Sequence, residues 1–224
     1  MDKDQLLSKI LECVEFGKVN KAAPFPPHMR GQDGAFELTK EALDQGVNPS
    51  EILNDALIKA MEKVGQKFTE KKIFVPQMLI SAKAMNAAME HLKPFFQSGQ
   101  VKRKGKFIIG TVAGDLHDIG KNLVAMIVEG AGWEVIDLGV DVPSQKFRQS
   151  LKDHPDAVVG LSALLTTTMH SMKTTVQEIK AEFPKTRLII GGAPISEDFR
   201  IEAGADNYSR DPQGAVSYLN SLVA

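Results

Sequence analysis

The spacing of apolar residues changes character near residue 100. Before that point apolar positions recur every three or four residues, which predicts amphipathic helices. The helices are expected around residues 6–14, 33–45, 48–68 and 76–92. Short helices with brief connections are typical of a small helical bundle. Residues 20–34 carry three prolines and are predicted to form an extended surface loop.

From Lys106 onward, short apolar runs alternate with helical patterns. This alternation predicts parallel strands joined by right-handed crossovers, and therefore a doubly wound sheet. Five strands in about 120 residues favour the flavodoxin-like order over a full dinucleotide-binding fold. The polar stretch 99–105 is a predicted linker between domains at 1–98 and 106–224. The strands are expected at these positions: 107–112, 133–139, 157–164, 187–192 and 206–208.

The charge, the apolar runs and the cysteine count limit the functions and the location expected for this protein. The net charge of -1 gives no electrostatic argument for binding nucleic acid or an acidic membrane surface. No window approaches the roughly 18 continuous apolar residues of a membrane span, and the first residues do not resemble a signal peptide. A cytoplasmic protein is therefore expected. The single cysteine, Cys13, excludes an internal disulfide, a cysteine-rich zinc site and an iron–sulfur cluster within one chain.

The candidate chemistry lies in the loop after the first predicted strand, GTVAGDLHDIGKN at residues 110–122. Ligands of doubly wound sheets bind at the carboxyl ends of the strands, where this loop begins. A phosphate loop is excluded, because Gly114 and Gly120 are one residue too far apart and Asn122 replaces the required hydroxyl. Asp115 and Asp118 would also repel an anion.

Two interpretations of this loop remain. Asp115 could cap the following helix, with His117 an ordinary loop histidine, and nothing in the loop alone excludes that. Alternatively, His117 ligates a metal while Asp115 holds its other ring nitrogen. A single protein ligand implies a metal that arrives with its own ligands in a macrocycle. The remaining histidines lack the spacing of a zinc site: His28, His91, His154 and His170.

Three motifs together resemble the cobalamin-binding domains. Asp115-Leu116-His117-Asp118-Ile119-Gly120 is similar to the family's D-x-H-x-x-G, and Ser162-Ala163-Leu164 to its S-x-L after the third strand. Gly191-Gly192 is similar to the paired glycines after the fourth strand. The resemblance implies that the nucleotide tail leaves the cobalt and enters a slot in the sheet. His117 then becomes the lower axial ligand of cobalt.

The resemblance also implies roles for single residues. Ser162 would meet the benzimidazole base of the tail, Leu164 would pack beside the tail, and Thr166 would add a contact. Gly191 and Gly192 would let the tail lie against backbone, and Tyr208 and Ser209 would close the pocket. The loop residues expected at the cofactor are Gly114, Asp115, Leu116, His117, Asp118 and Gly120.

A catalytic relay is implied as well. It joins His117, Asp115 and Thr168, and Thr168 stands where methionine synthase has a serine. In the helical half, residues 64–85 resemble the cap of methionine synthase and of methyltransferase corrinoid proteins. That resemblance implies that three side chains cover the upper corrin face and shield the methyl group: Phe68, Val75 and Met78. Packing in the bundle core is the alternative for all three, most strongly for Val75.

We therefore predict an α/β protein in which a four-helix bundle cap precedes a five-stranded, flavodoxin-like, Rossmann-like cobalamin-binding domain. The resemblance, over residues 35 to 220, implies a corrinoid methyl carrier that holds cobalamin base-off and His-on, as cob(I)alamin or methylcobalamin. It would not act as an autonomous enzyme. Its partners would be a donor-specific barrel methyltransferase, an acceptor methyltransferase that uses a thiol or tetrahydrofolate, and a reductive activation protein. The alternative is a non-catalytic cobalamin sensor or storage module.

Overall fold

The computed structural model of the chain describes residues 1–223 and divides into two compact units. One contains Met1–Arg103 with Gly130–Gly132, and the other contains Lys104–Glu129 with the residues from Trp133 onward. The first unit is entirely helical, whereas the second alternates strands and helices. Within residues 1–223, no helix is both long enough and apolar enough to cross a membrane.

Four helical segments form the first unit. Asp2 caps the first of them, because its carboxylate accepts the Gln5 N–H at 2.8 Å and the Gln5 side chain returns a bond to the Asp2 N–H. Gly17 ends it in the left-handed conformation. The third segment runs without a break from Pro49 to Thr69 and includes a π-helical stretch, Ile52–Ile58. The helices are α1 (Lys3–Phe16), α2 (Ala35–Asp44), α3 (Pro49–Glu51), α4 (Lys59–Thr69) and α5 (Val75–Gln97).

Two expectations for this unit are corrected. Helix α5 continues five residues beyond the predicted end at 92 and runs through Pro94. A proline in the last turn removes a single N–H bond there, so the helix tolerates it. The 20–34 loop is less extended than expected, because it contains a short 3-10 turn, Pro27–Met29. The buried Lys18 ammonium supports the loop by donating to the Ala23 carbonyl at 2.8 Å.

The second unit is a five-stranded parallel sheet in the order β2-β1-β3-β4-β5, with helices in the connections. This is the flavodoxin-like order, so the predicted fold class is confirmed. The strands are β1 (Lys106–Thr111), β2 (Glu134–Asp137), β3 (Val158–Ser162), β4 (Leu188–Gly191) and β5 (Asn207–Tyr208). The helices are α6 (Ile119–Gly130), α7 (Ser144–Asp153), α8 (Met169–Glu182), α9 (Glu197–Ala203) and α10 (Pro212–Ser221).

Strands β2 to β5 are shorter than the apolar runs predicted, whereas β1 has the predicted length and begins one residue earlier. Strand β2 begins at Glu134, so Trp133 precedes the strand instead of lying on it. The Trp133 side chain is buried, and its indole N–H donates to Asn220 at 3.3 Å. Strand β3 ends at Ser162, which leaves Leu164 in the following loop. Apolar runs overestimate strand length here because the loop that follows β3 is also apolar, although Leu164 and Leu165 are exposed.

Candidate functional site

The three sequence motifs meet at the end of the sheet where the carboxyl ends of the strands lie. Thr111 at the end of β1 pairs in register with Ser162 at the end of β3, and Ser162 pairs with Gly191 at the end of β4. The carboxyl ends of these strands therefore form one continuous edge, from which the three loops leave. This edge is where parallel sheets of this order bind ligands.

Asp115 is the centre of a hydrogen-bond network that joins two of these loops. Its side chain is fully buried. One carboxylate oxygen accepts the His117 ring N–H at 2.6 Å and the His117 backbone N–H at 3.1 Å. The other accepts the backbone N–H of Leu164 at 2.7 Å and the Thr168 hydroxyl at 2.9 Å. The Leu165 N–H also reaches this second oxygen, at 3.3 Å.

This arrangement keeps the Asp115 carboxyl ionised. Burial alone would raise its pKa, but the bonds from the Leu164 N–H, from His117 and from Thr168 outweigh burial and hold the pKa well below its usual range. An ionised carboxylate only accepts hydrogen bonds, so the proton between the two side chains lies on Nδ1 of His117. Asp115 does not cap α6, so the alternative interpretation of a simple helix cap is not what the structure contains.

His117 is held firmly and remains accessible. Its carbonyl accepts the Thr111 hydroxyl at 2.8 Å, while its ring is fixed through Nδ1. About half of the side chain, 49%, is exposed to solvent. Because Nδ1 carries the proton, Nε2 is the nitrogen left with a lone pair for a metal. Within residues 1–223, no cluster of three or more His, Cys, Asp or Glu residues could hold a metal ion. A metal at His117 would therefore have to bring further ligands of its own.

A cavity of about 600 Å³ opens beside this histidine and extends along the sheet. Its lining is mainly apolar. Exposed apolar side chains, Leu116, Ile119 and Leu164, surround the mouth together with His117. Exposed apolar groups around a cavity mark a ligand site. Other predicted residues that line this cavity are Asp118, Gly120, Ser162, Gly191, Gly192, Tyr208 and Ser209.

The glycines of the lining differ in what a side chain at each position would meet. A Cβ added at Gly120 would meet no protein atom within 4 Å, so it would occupy ligand space. At Gly191 a Cβ would lie 3.0 Å from the Ser209 carbonyl. Gly192 has φ +135, and a Cβ there would lie 1.7 Å from the Ala163 carbonyl oxygen. At Gly191 and Gly192 the absence of a side chain therefore allows the loop after β4 to pack closely against the backbone of the neighbouring loops.

Two features of the cavity were not predicted from the sequence. Gly160 and Phe107, on β3 and β1, both line it although neither belongs to a motif. The sequence signal for Gly160 was a glycine inside an apolar strand, because such a glycine often marks the close approach of a ligand or another backbone. Lys121 also lines the cavity, yet it is buried and bonds to Asp137 and Asn122. A lysine in the first turn of a helix gave no reason to expect burial.

Some predicted residues do not line the cavity. Thr166 lies exposed in the 3-10 turn before α8, and Gly114 adopts a left-handed conformation with φ +85 next to Asp115. The three predicted cap residues belong to the helical unit. Met78 is fully buried, Phe68 is half-buried and Val75 is exposed, so core packing does not describe Val75.

Comparison with known proteins covers both the helical and the α/β parts of the chain. Residues 105–216 match a family model described as a B12 binding domain, and residues 31–93 match a second model with the same description. Dimethylamine corrinoid protein 1 of Methanosarcina acetivorans is 37% identical over 227 aligned residues, which cover 100% of both chains. Trimethylamine corrinoid protein 1 of the same organism is 34% identical over 193 residues, with 84% of this chain and 89% of the relative covered.

A solved structure extends the likeness to the whole fold. The methanol:cobalamin methyltransferase complex MtaBC of Methanosarcina barkeri contains a chain with a TM-score of 0.83 and 26% identity. The match covers 99% of this chain and 81% of that one. Because the family models match both the helical and the α/β parts, and the relatives align over most of their length, this chain belongs to the family of B12-binding corrinoid proteins.

Proposed function

We propose that this protein is a methyl carrier that binds cobalamin base-off and His-on. His117 would ligate the cobalt through Nε2, and the cavity beside it would receive the nucleotide tail. The cobalt of the bound corrinoid supplies a centre that accepts a methyl group and gives it up again.

The network around Asp115 carries the proposal. A carboxylate that holds the Nδ1 proton orients the imidazole and increases the basicity of Nε2. The buried carboxylate is itself fixed by Thr168 and by the backbone of the loop after β3. Asp115, which accepts a hydrogen bond from Thr168, can keep the proton on Nδ1 of His117 whether or not Nε2 binds a metal. A histidine that must bind and release a metal needs this kind of support.

The cavity supports the second half of the proposal. Ser162 lies at the end of β3, where its hydroxyl could meet a polar atom of the base, while Leu164 offers apolar surface at the mouth. Gly191 and Gly192 present backbone to the tail, and Tyr208 and Ser209 line the cavity from the end of β5. Thr166, in the exposed turn nearby, is a further candidate contact.

We assign a separate role to each part of the chain. We propose that residues 106–224 bind cobalamin, that 99–105 act as a linker, and that 1–98 form the cap, with Phe68, Val75 and Met78 over the upper corrin face. The donor would sit on a barrel methyltransferase and the acceptor, a thiol or tetrahydrofolate, on a second enzyme. A reductive activation protein would restore the reduced cobalt. Relatives named for dimethylamine and trimethylamine make methylated amines the first donors to test.

Reconstitution tests the proposal directly. Hydroxocobalamin added during refolding from denaturant should give a spectrum in which the lower base is displaced and an imidazole is bound. His117→Ala should bind cobalamin without that imidazole signature. His154→Gln, at the opposite end of the sheet, is the matched control and should behave as wild type. Failure of the wild-type protein to bind hydroxocobalamin would overturn the proposal.

The carrier role needs a second assay. Protein loaded with cobalamin is reduced and mixed with a methylated amine and a barrel methyltransferase that acts on that amine. Methylation of the bound cobalt, followed by its loss on addition of the acceptor enzyme and a thiol or tetrahydrofolate, is the expected result. Tight cobalamin binding without any methylation by such partners would favour the sensor or storage alternative.

A further inference from the structure

Asp141 clamps the loop that carries His117, although it lies in a different loop. It belongs to the connection between β2 and α7. Its backbone N–H donates to the Asp115 carbonyl at 2.9 Å, and its carboxylate accepts the Gly114 N–H at 2.7 Å. Asp141 thus bonds to both residues of the Gly114–Asp115 segment, where the histidine motif begins.

The conformation of Asp141 is unusual and suited to this contact. Its φ is +53, in the left-handed region that most residues avoid and that aspartate and asparagine tolerate better than other side chains. Gly114, opposite, is also left-handed, with φ +85. The bond from the Gly114 N–H to the Asp141 carboxylate therefore joins two left-handed residues in adjoining loops.

The loop of Asp141 is itself anchored to β1. The Leu138 N–H donates to the Ile109 carbonyl at 2.8 Å, the Thr111 N–H donates to the Gly139 carbonyl at 3.0 Å, and the Val142 N–H donates to the Thr111 carbonyl at 2.9 Å. The clamp therefore fixes the position of Asp115 relative to β1. Asp115 in turn orients the imidazole of His117.

We propose that Asp141 is a positioning residue that favours ligation of cobalt by His117. The inference rests on the proposed function, because it concerns the same lower ligand. Without the carboxylate, the Gly114–Asp115 segment loses one of its two bonds to the clamp, and His117 is oriented less well. A hydrogen bond of ordinary strength corresponds to about a fivefold change in the ratio of ligated to unligated cobalt.

Three variants separate the parts of the clamp. Asp141→Asn keeps a side-chain acceptor for the Gly114 N–H and tolerates the left-handed backbone. Asp141→Gly keeps the backbone conformation and removes the acceptor, while Asp141→Ala disturbs both. The test uses cobalamin-loaded protein reduced to Co(II). In its electron paramagnetic resonance spectrum, a nitrogen ligand such as that of His117 would split the cobalt lines. The ratio of ligated to unligated cobalt should stay near wild type in Asp141→Asn. It should fall about fivefold in Asp141→Gly and furthest in Asp141→Ala.

The controls decide between the two claims. Asp156→Gly removes another exposed aspartate, in the connection that enters β3 at the opposite end of the sheet, and should leave the ratio unchanged. If the wild type shows axial nitrogen and His117→Ala does not, but Asp141→Gly keeps the wild-type ratio, the inference about Asp141 is wrong and the proposed function stands. A lower melting temperature in Asp141→Gly with an unchanged ratio also overturns it. If wild type and His117→Ala give the same spectrum, the proposed function fails instead.

Discussion

Gly160 and Phe107 share one space at the floor of the cavity. A Cβ added at Gly160 would lie 2.4 Å from the Phe107 ring, which is almost completely buried. The glycine therefore allows the aromatic ring to lie across the neighbouring strand. Both residues line the cavity, so the ring sets one of its boundaries.

Gly160→Ala should weaken the binding of cobalamin by displacing the Phe107 ring. Overpacking of this kind costs about 1–3 kcal/mol, or about five- to a hundredfold in affinity if the ring moves into the cavity. Cobinamide, which has no nucleotide tail, should bind the variant and the wild type equally. Isothermal titration with both compounds checks this, and Gly160→Ala/Phe107→Leu should recover part of the cobalamin affinity. Equal losses for the two compounds would mean that the floor does not contact the tail.

Gly120→Ala should separate ligand binding from stability. A Cβ at Gly120 meets no protein atom within 4 Å, whereas one at Gly192 lies 1.7 Å from a carbonyl oxygen. The unfolding free energy of the apoprotein should thus be unchanged or slightly higher in Gly120→Ala, because alanine favours helix. Gly192→Ala should destabilise the apoprotein strongly. Urea denaturation measures both, and cobalamin affinity should still fall about tenfold in Gly120→Ala.

The overall architecture could be predicted from sequence because its signals are local and periodic. The change in apolar spacing near residue 100 and the alternation after Lys106 were sufficient for the helical unit and for the five parallel strands. Asp115 and His117 were found because they are two residues apart in one motif. Asp141 and Gly160 were not, since their importance comes from contacts across 26 and more positions of the chain. Such contacts leave no pattern in a single sequence.

Asp206 should make the α/β unit less stable in acid. Burial alone would raise its pKa, but the Lys180 ammonium at 2.6 Å, the Leu188 N–H and the Arg187 guanidinium outweigh burial and lower it. A lowered folded-state pKa stabilises the fold fully above the ordinary carboxyl pKa of about 3.9, and that stabilisation is lost as the pH falls through the folded-state pKa.

Asp206→Asn should therefore lower the unfolding free energy at pH 7 by about 1–3 kcal/mol. The difference from wild type should shrink as the pH falls below about 4, where the wild-type carboxyl also becomes neutral. Denaturation curves of the apoproteins between pH 7 and pH 3 measure this difference. Asp198→Asn, an exposed aspartate in the first turn of α9, is the control and should show a much smaller effect. A difference that stays constant with pH would contradict the role of the Asp206 charge.

Thr168→Val should weaken the support of the proposed cobalt ligand while preserving side-chain volume. The variant removes the hydroxyl that donates to the buried Asp115 carboxylate at 2.9 Å, and the same hydroxyl lies 2.9 Å from the Leu165 carbonyl. Loss of a hydrogen bond to a buried charge should cost about 1.5–3 kcal/mol of apoprotein stability. Thr168→Ser keeps the hydroxyl and should retain most of that stability.

The two variants should also differ in the state of bound cobalamin. With one donor fewer, Asp115 is fixed less well, so the fraction of cobalt that carries an axial imidazole should fall in Thr168→Val and stay near wild type in Thr168→Ser. The Co(II) spectrum of each loaded protein measures that fraction, and Thr167→Val, the exposed neighbour, is the control. If Thr168→Val loses stability yet keeps the wild-type fraction, the hydroxyl supports the fold alone. The relay would then end at Asp115.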